Sequence, residues 1–262
     1  MRVGVITGSG TSTWPGLAGS VPKTYETRWG RAVLTEGTAG GTEIVHVARH
    51  EAGHRRLSNQ VNHRANLAAL LEREAGCLIS LTVCGAVDPA AAPGSVVVFD
   101  DFYFPSNRLP GGGLCSWYTV PGEPGRGHWI FGSPFSQAVR AALIEAGQVT
   151  GTPVVDGGCY GHVDGPRFNS RAEIGALAGA GVTAVSQTAG PEVVLAGEAE
   201  LPMALAGYVT DYANGVSTEP EPVGALLARM RDSTAVLSAL VEAALPRLGR
   251  PQPSGVVHRF GQ

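Results

Sequence analysis

Short apolar runs rich in β-branched residues recur along the chain, and this pattern predicts strands. They read RVGVIT (2–7), TEIVHVA (42–48), CLISLTV (77–83), GSVVVFD (94–100), TPVVDGG (152–158), GVTAVSQ (181–187) and MALAGYVT (203–210). Several end just before polar residues, as strands of a sheet covered on both faces do. Between them lie stretches rich in Ala, Leu, Glu and Arg that predict helices: NLAALLEREAG (66–76), FSQAVRAALIEAG (135–147), SRAEIGALAGAG (170–181) and VGALLARMRDSTAVLSALVEAAL (223–245). The first three stop at a glycine, a common helix end. The alternation predicts one three-layer α/β/α domain over residues 1–262. Residues 105–127, dominated by Pro, Gly and Ser, read as a functional or interface loop. The Pro-rich 219–222 stretch reads as a turn before the last helix, and residues 251–262 as a loosely held tail.

Composition narrows the function classes. Of 262 residues, 44% are hydrophobic, enough for a sizeable core. With 19 basic and 22 acidic residues the formal charge is -3. Neither nucleic acid nor an anionic membrane is therefore expected as a partner. No run is long enough to span a bilayer, and Met1 leads directly into RVGVIT, which points to the cytoplasm. The cysteines Cys77, Cys84, Cys115 and Cys159 lack paired metal-ligand spacing and read as buried free thiols without a disulfide.

Residues His50, Glu51 and His54 spell H-E-x-x-H, the zinc-protease signature. A zincin needs both histidines on one face of a continuous helix. Here the upstream EIVHVAR is strand-like, Gly53 would fall inside the helix, and RRLSNQ offers no apolar stripe. The other reading places Arg49 and His50 where a strand turns into a loop, where a guanidinium fork and an imidazole suit an oxyanion. Taken alone, a surface salt bridge by Arg49 and a satisfied histidine are the plainer account of both.

Similar chemistry recurs at other strand ends. VGVITGSGTST runs into Gly8, Ser9 and Gly10, where bare backbone N–H groups and a hydroxyl can approach an anion, with Ser12 or Thr13 where a dinucleotide fold wants its third glycine. LISLTVCGAVDP delivers Thr82 and the Val83 amide, and TAVSQTAGPEV delivers Thr188. Together these groups suit inorganic phosphate. Asp211, in VTDYANG, follows another apolar strand, where partial burial would raise its pKa and let it share a proton near neutrality; an Asx-type turn is the plainer alternative.

Several segments, in order and over nearly the whole chain, resemble the trimeric purine nucleoside phosphorylase family, especially its 5'-methylthioadenosine phosphorylase branch. They are VARHEAGHRRLSNQVNHRANLAAL, VCGAVDPAAAPGSVVVFDDF, GPRFNSRAEI, GPEVVLAGEAEL and VTDYA. The resemblance implies a mixed, partly barrel-like sheet flanked by helices, assembled as a homotrimer. It implies phosphorolysis of a purine nucleoside to free purine and a ribose 1-phosphate, with orthophosphate as co-substrate and neither metal nor organic cofactor. On this reading Ser9, Arg49, His50, Thr82, Thr188 and the Val83 amide hold phosphate, Phe168 stacks on the purine, and Asp211 meets purine N7. His128 would reach a neighbouring subunit's site near the 5' substituent.

The chain also departs from the family pattern. Ala213 stands where adenine-specific members carry a second carboxylate, which weakens selection for adenine over a 6-oxopurine. Asn169 can donate or accept and does not decide the base. Gln187 replaces a methionine beneath the ribose, where it either meets a sugar hydroxyl or stays unsatisfied. Gly224 would leave room for a 5' substituent. A specialised nucleoside, an ordinary 6-oxopurine nucleoside and a lapsed nucleoside-binding protein all stay open at this point.

Overall fold

The longest strand organises the molecule. In the computed structural model, which describes residues 1–9, 14–219 and 221–261, this strand is β5 (Ala75–Ala86). Before it come β1 (Arg2–Thr7), β2 (Lys23–Thr27), β3 (Gly30–Ala39), β4 (Thr42–Ala48) and helix α1 (His63–Glu72). After it come β6 (Val96–Val98), β7 (Asp101–Tyr103), β8 (Gly127–Ile130), α2 (Gln137–Thr150), β9 (Val154–Asp156) and β10 (Cys159–His162). The chain continues through α3 (Arg171–Gly179), β11 (Val182–Ser186), α4 (Gly190–Glu198), β12 (Met203–Tyr212), α5 (Val223–Ala244) and β13 (Val256–Arg259).

Among the described residues eleven strands form one mixed sheet, in which β5 is the branch point. One edge of β5 runs parallel to β12 from Leu78 to Ala86. Its other edge pairs with parallel β1 only as far as Ser80 and resumes with antiparallel β11 at Gly85. Residues 81–84 thus face an opening in the sheet on that side. Because β1, β4, β5 and β12 are parallel, their carboxyl ends lie together at this opening, the usual position of a ligand site in an open α/β sheet.

Side chains alternate between two cores, as strand geometry requires. Val3, Val5, Ile79 and Leu81 pack against Leu143 of α2 and Leu237 and Leu240 of α5. Ile6, Leu78 and Cys84 face the other way, toward Leu67 and Leu70 of α1 and Val193 of α4. The same alternation puts Ser80 and Thr82 on the α4 side. Burial on both faces explains why these strands read as nearly continuous apolar runs.

The seven predicted strands and four predicted helices are all present, with several corrections. Helix α1 does not stop at Gly76: Glu74 takes the left-handed conformation (φ 58°) and Gly76 lies within β5. Helix α2 runs through Gly147 and ends at Gly151 (φ 68°). Helix α4 escapes the sequence pattern, because Gly190, Pro191 and paired valines disguise it; the proline sits in its first turn, where no N–H partner is lost. The tail after Pro251 is not loose. Strand β13 pairs with β8, Arg259 bonds Glu200, and Ser136 Oγ donates to Gln252 O. Gly10, Ser12, Thr13 and Pro220 lie outside the described residues.

Candidate functional site

At the sheet opening lies a pocket of about 260 Å³. It collects Ser9, Arg49, His50, Thr82, Val83, Phe168, Asn169, Gln187, Thr188, Asp211 and Ala213, all singled out from the sequence. His128 does not line it: it lies on β8 with its ring against Phe260 (centroids 5.2 Å apart). Nor does Gly224, although Leu226 and Met230 of the same helix do.

Arg49 is no surface residue. Strand β4 ends at Ala48, the Arg49 N–H donates to Thr7 O (2.9 Å), and the side chain is 1% exposed. Its Nε donates to Glu192 Oε1 (2.6 Å) and its Nη2 to Glu192 Oε2 (2.8 Å) and Ser80 Oγ (2.9 Å). Nη1 donates to Leu81 O (2.9 Å), capping a carbonyl at the opening of the sheet. A guanidinium has five N–H groups, and among the described residues these contacts engage four, which leaves one on Nη1 for a ligand. The expectation of a whole fork free for an oxyanion is thereby corrected.

Glu192 was not foreseen. It is the one carboxylate in GPEVVLAG, and that isolation was the available signal. It sits in the first turn of α4, where the helix dipole favours an anion, and also accepts from Ser80 Oγ (2.6 Å). Burial opposes its charge, but the Arg49 cation and its hydrogen bonds prevail and hold the carboxyl far below the usual carboxylate range. His63 Nδ1 stands 3.5 Å from Glu192 Oε1, and neither ring nitrogen has a hydrogen-bond partner among the described residues. Burial pushes this histidine toward its neutral form.

The packing around Arg49 constrains Gly8. A Cβ there would fall 2.7 Å from Arg49 Nη1, and the Glu192 clamp prevents the guanidinium from retreating. Gly8→Ala is expected to lower unfolding stability by about 1–3 kcal/mol, read from urea denaturation of the two proteins.

His50 is also buried. Burial and then the Arg49 charge push it down to about 4, so the ring is neutral near pH 7. His50 and His54 stack ring on ring at 4.2 Å across a chain that is not α-helical, with Gly53 at φ 70°. Their rings therefore do not converge on one ion, as zincin ligands do. Among the described residues no group of three His, Cys, Asp or Glu could hold a metal ion.

At the β12 end, Asp211 is half-buried and accepts from Thr210 Oγ1 (2.6 Å). Burial raises its pKa and the hydroxyl only partly offsets this. Ala213 is buried beside it. Asn214 Nδ2 donates to the backbone oxygen of Asn169 (2.7 Å), and the Asn169 side-chain amide has no hydrogen-bond partner among the described residues. Phe168 is 62% exposed, an apolar ring held at the mouth. Gln187 is not unsatisfied: Oε1 accepts from Ser58 Oγ (3.0 Å) and Nε2 donates to Arg167 O (3.0 Å), and these contacts leave one N–H and one lone pair for a ligand among the described residues. It ties together the loops that carry Ser58 and Arg167. Chemically, the pocket combines hydroxyls, one guanidinium N–H and an imidazole, suited to a tetrahedral oxyanion, with a proton-sharing carboxyl and an exposed aromatic ring.

Comparison with known proteins agrees with this chemistry. The family model described as Phosphorylase superfamily matches residues 2–246. A 6-oxopurine nucleoside phosphorylase of Pyrococcus furiosus is 30% identical over 261 residues, covering 97% of this chain and 96% of that protein. An S-methyl-5'-thioadenosine phosphorylase of Mycobacterium tuberculosis is 34% identical over 252 residues, covering 94% and 89%. The structure of methylthioadenosine phosphorylase from Schistosoma mansoni in complex with adenine superposes with a TM-score of 0.84 at 27% identity, covering 95% of this chain and 92% of the other.

Proposed function

The chain belongs to the phosphorylase superfamily, and from that premise we propose that it cleaves the N-glycosidic bond of a purine nucleoside with inorganic phosphate. The products are free purine and a ribose 1-phosphate. One observation carries the reading: the Arg49, His50 and hydroxyl cluster shares a single pocket with the desolvated carboxyl of Asp211.

Breaking this bond builds positive charge on the sugar and negative charge on the departing base. Phosphate held by Ser9, Arg49, His50, Thr82, Thr188 and the Val83 amide stabilises the sugar cation as it forms and then bonds to C1'. Asp211 shares a proton with purine N7 and relieves the charge on the base. Phe168 covers the purine, and the amide of Asn169, with Ala213 offering no second carboxylate, reads its 6-substituent. Gln187 ties the Ser58 and Arg167 loops and meets the sugar with the N–H and lone pair those contacts leave over.

The chemistry asks for neither metal nor organic cofactor. We further propose that residues 1–262 act as a single catalytic domain in the cytoplasm, within a homotrimer whose His128 enters a neighbouring pocket.

Inosine, guanosine, adenosine and methylthioadenosine incubated with and without phosphate provide the test. Purine release is expected only with phosphate, matched mole for mole by the sugar 1-phosphate. Equal release without phosphate, or free ribose as the product, defeats the proposal.

A further inference from the structure

The hydrogen bond that anchors His50 determines what it can offer a ligand. His50 Nδ1 lies 2.8 Å from the backbone oxygen of Arg56. A carbonyl only accepts, so Nδ1 carries the proton, and the nitrogen left for the pocket is Nε2. In the neutral ring Nε2 has a lone pair and no hydrogen. It accepts a proton and cannot donate one.

The surroundings keep the ring in that state. Burial and the adjacent Arg49 guanidinium push it down to about 4, and the stacked His54 acts in the same direction. The opposing carboxylates are already engaged. Glu192 is clamped to Arg49, and Glu51 is bonded to Arg56 Nε (2.5 Å) with Arg31 4.0 Å away. Arg56 approaches His50 with its carbonyl while its guanidinium is turned to Glu51 and Gln60 O.

Neighbouring donors do not compensate for a bare nitrogen. The Arg49 charge is balanced by Glu192, which leaves one N–H toward the pocket rather than an excess cation. The hydroxyls of Ser9 and Thr188 rotate to donate or accept and so do not distinguish one tetrahedral oxyanion from another; Thr82 Oγ1 lies 3.0 Å from Val83 O and 2.9 Å from Ser186 Oγ and turns its hydrogen to a ligand only by giving up those bonds.

We infer that His50 Nε2 is a specificity-determining acceptor for a P–OH hydrogen, so that the pocket selects a protonated tetrahedral oxyanion, hydrogenphosphate, over its unprotonated isostere sulfate. Hydrogenphosphate, which coexists with dihydrogenphosphate near neutrality, carries the same double charge as sulfate and has nearly the same shape. They differ in one proton. Sulfate sets an oxygen lone pair against the Nε2 lone pair, whereas hydrogenphosphate makes a hydrogen bond there. The inference rests on the reading that this end of the pocket takes phosphate, and it assigns the protonation state that reading leaves open.

The test is titration of the intact protein with sodium phosphate, arsenate and sulfate at pH 7 and constant ionic strength, followed by calorimetry and by thermal stabilisation. Arsenate, which keeps a proton, is expected to bind close to phosphate, and sulfate about 5- to 150-fold more weakly, the range for leaving a buried polar group mismatched. Whatever sulfate does bind should take up about one proton, since protonated His50 becomes a donor, and should strengthen as pH falls. In His50→Asn, whose amide can present N–H, the gap between sulfate and phosphate should close. A wild-type sulfate deficit below about fivefold, or sulfate binding without proton uptake, overturns the inference even where the variant does not fold. Turnover separates this from the functional proposal. Phosphate-independent purine release with the anion preference intact removes phosphorolysis alone, whereas phosphorolysis with sulfate competing on equal terms removes the role of His50 alone.

Discussion

Replacing Glu192 with alanine is expected to destabilise the protein by about 3–5 kcal/mol, the cost of removing one partner from a buried ion pair. Arg49 would keep its charge at 1% exposure with only Ser80 Oγ and the Leu81 carbonyl for company. Domains of this kind are stable by about 5–15 kcal/mol, so the variant should unfold at clearly lower urea concentration. The dependence on pH has a definite sign. Because the folded carboxyl is held below its unfolded value, its contribution is complete above the ordinary carboxylate range and is lost as pH falls below it. The acid side of the stability curve should therefore flatten in Glu192→Ala. A double variant, Arg49→Met with Glu192→Leu, should recover most of the stability, since apolar replacement of a whole buried pair is often neutral or better. It should recover no phosphorolysis. An isolated Glu192→Ala protein as stable as wild type would contradict the buried clamp.

Asp211→Asn is expected to lower turnover by about a hundred- to ten-thousandfold, the usual range for general acid catalysis, with little change in KM for the nucleoside. The amide keeps the shape, can still accept from Thr210 Oγ1 and can point an N–H at N7, but it cannot transfer a proton to the departing base. Burial raises the Asp211 pKa, so the protonated acid survives to higher pH than an exposed aspartate would, and wild-type turnover should decline as pH rises through that pKa. The variant should lack this decline. Stability should move the other way. A raised carboxyl pKa favours the fold only at pH below its titration, and that contribution is lost as pH rises through the folded value. Asp211→Asn should then be at least as stable as wild type at neutrality, which distinguishes lost chemistry from lost folding. Steady-state kinetics across pH, beside urea unfolding, tests both halves.

Local pattern reached far into this protein. Strands such as Arg2–Thr7 and Thr42–Ala48 and the helix Gln137–Thr150 were legible because burial on two faces or one imposes a period that survives in sequence. So was the placement of Arg49 and His50, since a polar residue directly after an apolar strand falls where the strand leaves the core; Asp211 lies one residue before the end of β12 rather than after it. Helix α4 was not legible, because its glycines and proline contradict helix propensity and are tolerated only through packing against the core.

Sequence by itself therefore determined the α/β class, the principal elements and which polar side chains stand at strand ends. Only the tertiary structure decided what those side chains have left to give. Arg49 meets Glu192 across 143 positions, Gln187 meets Ser58 across 129, and the tautomer of His50 follows from one backbone carbonyl. Periodicity records which face of an element is buried, whereas hydrogen-bond satisfaction depends on which distant group arrives at that face, and the order of residues along the chain carries no trace of that distance.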